Sequence, residues 1–157
     1  MNNKGFAKSL EIIIILIIFA LTFYMVRPYV ISSSKTSQKN NLLRSARNYG
    51  TSAQNLWNSG SFACYNGGQL LETDSLPEGD YYIKIDNSLS DNVKNSVKYS
   101  GYIHVKHSIT SNLYTVSVTD GTYTINKDKN YSDLAFADIE DSSKELTIPG
   151  SNICKET

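Results

Sequence analysis

From Ile12 to Val26 every side chain is apolar or aromatic except Thr22, and Ile12-Ile13-Ile14-Ile15-Leu16-Ile17-Ile18 contains nothing else. A run of this kind is soluble in lipid and not in water. At roughly −0.3 to −0.6 kcal/mol for each strongly apolar residue, transfer into a bilayer gains about 3 to 7 kcal/mol, against at most ~3 lost for Glu11 near one end. Insertion therefore wins. The run is shorter than the ~20 residues that span a bilayer, so two readings fit it: a single-pass anchor continuing to Ile31, with Arg27 snorkelling to the headgroups, and a cleaved secretory signal with Lys4 and Lys8 in its basic region. The sequence after the run favours the anchor. Arg27-Pro28-Tyr29-Val30-Ile31 is bulky, and only Ser32-Ser33-Ser34 offers a signal peptidase small residues. No cysteine near residue 30 supplies a lipoprotein anchor.

The charges give no bulk partner. Fifteen Lys plus Arg balance fifteen Asp plus Glu, and a chain without excess positive charge lacks the footprint of a nucleic-acid binder. Glu11 carries more information, because a carboxylate opening an apolar helix costs free energy unless it meets a positive partner.

A short basic leader with Lys4, then Gly5-Phe6, Glu11, the aliphatic stretch Ile12 to Val26 and finally Pro28 resembles the amino terminus of type IV pilins and pseudopilins. The resemblance implies a leader, residues 1–5, removed after Gly5 by a prepilin peptidase, with methylation of the new terminus at Phe6. It also implies that Glu11 neutralises the amino terminus of a neighbouring subunit, while Ile12, Ile13, Ile14, Ile15, Leu16, Ile17, Ile18 and Pro28 belong to the packed helix of a filament. Its partners would be other pilin-like subunits, the peptidase, an assembly ATPase and platform, and membrane lipid. Cleavage after Gly5 makes Glu11 the sixth mature residue, one place later than is usual in the family, whereas the spacing from Glu11 to Pro28 agrees with it. Ala7-Lys8-Ser9 stands where apolar residues are usual. That departure favours the alternative of an uncleaved, single-pass surface binding module.

Beyond the anchor, residues 6–31, the stretch Ser32 to Ser37 is poor helix material and is expected to soften the helix, since Ser and Thr cost roughly 0.5 kcal/mol each relative to Ala. Helical period then returns: Leu42, Leu43, Ala46, Tyr49, Ala53, Leu56 and Trp57 form one apolar stripe in an amphipathic region, residues 32–59, which Asn58-Ser59-Gly60 should end. In residues 60–157 the period changes to two. Tyr81, Ile83 and Ile85 alternate with polar neighbours, as do Ile103 and Val105, and both stretches read as half-buried strands. Tyr114 to Thr119, Asp120-Gly121 and Thr122 to Ile125 predict a hairpin with a two-residue type I′ turn, pairing Val118 with Tyr123 and Val116 with Ile125. A short helix is expected within Ser88 to Val97 and a last strand within Leu146 to Ile148. Lys127 to Asp133 and Asp138 to Asp141 read as loops. The fold expected is α+β: a long membrane-inserting amino-terminal helix whose stripe packs on a small antiparallel sheet, the pilin-like plan, with the sheet domain outside the cytoplasm.

Cys64 and Cys154 are the only cysteines. Outside the cytoplasm their pairing would close a loop worth roughly 4 kcal/mol, and many pilins carry a disulfide near the carboxyl end; two buried thiols are the other reading. No catalytic or cofactor motif is present, neither Walker loop, dinucleotide fingerprint, zinc-protease helix nor nucleophile elbow. His104 and His107, three apart on a strand, should face opposite ways and share no metal. Asn126, Asp128 and Asn130 lack the Gly and terminal Glu of a calcium loop. The expectation is a structural protein with no cofactor and no enzymatic activity.

Overall fold

The computed structural model describes residues 3–86, 89 and 98–157. The short helix expected within Ser88 to Val97 lies outside the described residues, apart from Leu89, which is buried in the core. Among the described residues one long helix, α1 (Asn3–Asn58), is followed by eight strands: β1 (Phe62–Asn66), β2 (Gln69–Glu72), β3 (Gly79–Lys84), β4 (Ser100–His107), β5 (Leu113–Thr119), β6 (Thr124–Asn126), β7 (Ile139–Glu140) and β8 (Ile153–Glu156). The chain divides into two compact units, Met1–Gln38 and Lys39–Thr157.

In the first unit the described residues are helical throughout, including Ser32 to Ser37, where softening was expected. Hydroxyls that compete with the helix in water instead bond back onto it. Thr36 Oγ1 donates to the Ser32 carbonyl, Thr22 Oγ1 to the Ile18 carbonyl at 2.6 Å, and Ser9 Oγ to the Gly5 carbonyl. Pro28 lies inside the helix; having no N–H, it leaves the carbonyl four residues earlier without its usual donor.

In the second unit, residues 39–58 of α1 lay their stripe on one face of the sheet. Leu42, Ala46 and Ala53 are fully buried, and Tyr49 and Trp57 nearly so, in one core with Tyr81, Ile83, Ile103, Val105, Val116, Val118 and Ile125. The helix ends as the sequence proposes. The Ser61 N–H reaches the Leu56 carbonyl and the Gly60 N–H the Trp57 carbonyl, with Gly60 at φ 72°, a Schellman cap that satisfies two terminal carbonyls.

The sheet order is β2-β1-β8-β3-β4-β5-β6-β7. It is mixed, not antiparallel as expected: β8 runs parallel to β3, with Tyr82 opposite Ile153 and Ile83 opposite Cys154, while every other neighbouring pair is antiparallel. The reason is topological. The chain leaves the β7 edge, crosses the sheet and inserts its carboxyl end between β1 and β3. The crossing segment, residues 141–152, runs over the face away from the helix. There the Thr124 hydroxyl donates to the Ser142 carbonyl, Gly150 lies against the Tyr82 ring, and Asn152 Nδ2 donates to the Asp80 carbonyl. Leu146 and Ile148, within this strap, are half-buried. They alternate like strand residues but join no ladder, so the strand expected there is replaced by β8, five residues later.

Two further readings are corrected. Asp138 to Asp141, read as a loop, contains β7 at the sheet edge. The hairpin of β5 and β6 pairs Val118 with Ile125 and Thr119 with Thr124, two residues out of the expected register, around a four-residue loop. The Asp120 carboxylate accepts the N–H groups of both Thr122 and Tyr123, at 2.8 and 2.7 Å, and so holds the loop open. A two-residue turn with two positive φ angles does occur, at Gly67 (58°) and Gly68 (85°) between β1 and β2.

Candidate functional site

Each site residue expected near the amino end lies on the surface of the first unit. Ile12 to Ile18 are 49 to 63% exposed and Phe6 is 76% exposed. Among the described residues this is the one helix long and apolar enough to cross a membrane, and none of its apolar window is buried. A contiguous apolar surface much above a few hundred Å² marks contact with lipid or with another protein. Tyr24 and Tyr29, both highly exposed, flank Arg27 at the far end, a grouping suited to the headgroup layer.

Glu11 is the only acidic residue before Lys39. It is exposed, and no ion pair among the described residues includes it. Gly5 is also informative. It is helical, and a Cβ there would meet nothing within 4 Å. Neither packing nor backbone geometry calls for glycine, which costs about 1 kcal/mol relative to alanine in a helix.

Cys64 and Cys154 are joined in a disulfide. They sit directly opposite each other on β1 and β8, and both are buried. The disulfide thus ties the inserted carboxyl strand to the strand that follows the helix. It lies in the second unit and supplies rigidity. His104 and His107 occupy opposite faces of β4. His104 stacks on Tyr82 at 4.9 Å and meets Asp80, whereas His107 packs against Trp57 and Tyr81.

A feature the sequence did not single out is a cleft of about 460 Å³ between the carboxyl end of α1 and the β4–β5 loop, lined by Gln54, Asn58, His107, Ser108, Asn112 and Tyr114 among others. Gln54 and Asn58, four apart on the helix, were its only sequence signal. The loop is pinned by Glu78, whose carboxylate accepts the Ile109 N–H at 2.8 Å and the Ser108 hydroxyl at 3.1 Å. These bonds, the backbone one first, hold the Glu78 carboxyl below its ordinary value of 4.5. A folded-state pKa lowered in this way makes the restraint complete above the ordinary value and lost as pH falls through the lowered one. The Ile109 amide proton resonance is therefore expected to move upfield on acidification below pH 4.5, and Glu78→Gln should abolish that titration. An unchanged titration in the variant would assign it to another group.

No protein-family model matches the chain, and neither a curated protein nor a solved structure matches it. Fold and surface together define its class: an α+β protein with a disulfide-tied mixed sheet and one exposed apolar helix of membrane-spanning length.

Proposed function

We propose that the chain is a pilin-like or pseudopilin-like structural subunit, anchored in the cell membrane through residues 6–31 with residues 60–157 outside the cytoplasm, and assembled into a surface filament or secretion pseudopilus. The observation that carries this reading is Glu11, a lone exposed carboxylate at the head of an aliphatic helix. In lipid it is a liability; among copies of the same helix it becomes a contact that sets axial register, while Ile12 to Ile18 exchange lipid for one another. Such a pair specifies alignment more than it stabilises, because desolvation offsets much of the attraction. Gly5, unexplained by the fold, fits a peptidase that reads Gly5-Phe6, cuts between them and methylates Phe6. An assembly ATPase and a platform protein would do the work of extrusion. The chemistry is packing rather than catalysis.

Glu11→Ala is expected to leave membrane insertion unchanged and to reduce surface filaments at least about tenfold, the factor that ~1.4 kcal/mol of lost register preference produces. Filament yield measured by shearing and electron microscopy decides it; undiminished filaments would contradict the reading.

The second reading, an uncleaved surface binding module, is favoured by the cleft beside the β4–β5 loop. The mass of the native amino terminus separates the two. A start at methylated Phe6 requires a prepilin peptidase, and an intact Met1 favours the simple anchor.

A further inference from the structure

Lys8 and Glu11 are both exposed, and among the described residues neither forms an ion pair, although they are one helical turn apart. The order of the charges accounts for this. An acid placed amino-terminal to a base pairs better along a helix than the reverse order found here. Each charge is thus left for a partner outside its own helix. They also sit on a seam. Lys8, Glu11, Ile15, Ile18 and Thr22 recur at alternating spacings of three and four, the pattern along which one helix meets another.

We propose that the partner of this seam is a second copy of the chain, docked parallel and displaced by three residues, so that the Lys8 ammonium of one copy meets the Glu11 carboxylate of the next. This deepens the pilin-like reading and rests on it. Three residues at 1.5 Å each give an axial step of about 4.5 Å. The two charges are complementary between copies only when the copies are offset, so every contact is head-to-tail. After it forms, each copy still holds one unpaired Lys8 or Glu11 at its other flank. A heterologous contact of this kind does not close on itself and grows as an open filament. Three residues turn the helix through 300°, which places Lys8 and Glu11 about 60° apart around its axis, so the preceding and following copies can occupy adjacent flanks. Lys8 remains after a cut at Gly5, so the contact forms whether or not the leader is removed. It differs measurably from pairing with a freed Phe6 amino group, which would need a five-residue step of about 7.5 Å.

The test uses the full chain in phosphatidylcholine vesicles. Both native cysteines are in the disulfide, so an engineered thiol is the only one free to crosslink. Chains carrying Ile15→Cys are mixed with chains carrying Ile18→Cys or Ala20→Cys and oxidised. The expected result is a 15–18 crosslink several-fold above both 15–20 and 15–15. Lys8→Glu in both chains should lower it about tenfold, and Lys8→Glu combined with Glu11→Lys should restore it, since the swap preserves complementarity. Carbonate extraction verifies that each variant is inserted. A dominant 15–20 crosslink would overturn the proposal, because it sets the copies five residues apart and not three. A 15–18 crosslink that survives Lys8→Ala would remove Lys8 from the contact and leave the pilin-like reading standing. The absence of any crosslink would overturn the proposal, while the pilin-like reading is decided separately by the filament yield of Glu11→Ala.

Discussion

Cys154→Ser is expected to destabilise the sheet domain by about 4 kcal/mol, a large share of the 5–15 kcal/mol by which a domain of this size is stable. Two effects act together. The bond closes a loop with a sequence separation of 90, and in the chain-entropy model such a loop removes about 4 to 5 kcal/mol of unfolded-state freedom. The second effect comes from where the bond lies. β8 is the only strand joining the β1–β2 hairpin to the rest of the described sheet, and it does so through three residue pairs with β1 and two with β3. So short a ladder would open locally without a covalent tie. Trp57, the single tryptophan, is 5% exposed and touches Tyr81 and His107, so its fluorescence reports the packing of the helix on the sheet. Urea unfolding of the full chain in detergent micelles, followed at Trp57, should show the loss as a lower midpoint. Cys64→Ala with Cys154→Ala should lose a similar amount, because the constraint vanishes with either partner. Equal midpoints for the native and variant chains would mean that the strap alone holds β8.

What could be read from the sequence follows from how each element is buried. β3 and β4 bury one face, so Tyr81, Ile83, Ile103 and Val105 imprint a period of two, and on β5, which is buried on both faces, the same period comes from residue type, Tyr114, Val116 and Val118 alternating with Thr115, Ser117 and Thr119. The helix stripe from Leu42 to Trp57 imprints its own period in the same way. β1 buries Phe62, Ala63 and Cys64 in succession, which erases the alternation, and the hairpin it starts was legible only in Gly67-Gly68. The register of β5 on β6 could not come from pattern, because a slip of two residues returns every side chain to its own face. The Asp120 carboxylate decided it through contacts of local geometry. β8 was the least legible element. Its neighbours Ile83 and Cys64 lie some seventy and ninety residues earlier in the chain, and its parallel pairing depends on a strap whose path no local signal describes. In the amino-terminal unit, Gly5, Glu11 and the aliphatic run stood out because the fold gives them nothing to do. Lys8 gained meaning once the helix placed it on the seam of Glu11.

Gly101→Ala is expected to cost about 3 kcal/mol or more, although it adds a single methyl group to a strand. Gly101 enters β4 with φ at 146°, opposite Val118 of β5, and its carbonyl accepts the Ile85 N–H. A Cβ at this position would lie 2.0 Å from the Ser117 carbonyl oxygen, 2.9 Å from its carbon and 3.0 Å from the Val118 Cα. All three are backbone atoms of the central ladder, so no rotamer change can make room. Relief requires either parting β4 from β5 or rotating Gly101 out of a conformation that L residues rarely adopt; strain of the second kind costs about 1–3 kcal/mol, and overpacking adds a similar amount. Gly79→Ala is the control. It too lies in a strand, but its φ is not positive and its Cβ would meet only the Tyr81 ring, at 3.9 Å, so a change within about 1 kcal/mol is expected. Both variants can be followed at Trp57 in the same urea titration. If Gly101→Ala unfolds at the same midpoint as Gly79→Ala, the close approach of β4 to Ser117 is wrong. The pairing of β4 with β5, on which the placement of the cleft and the helix stripe depends, would then need to be redrawn.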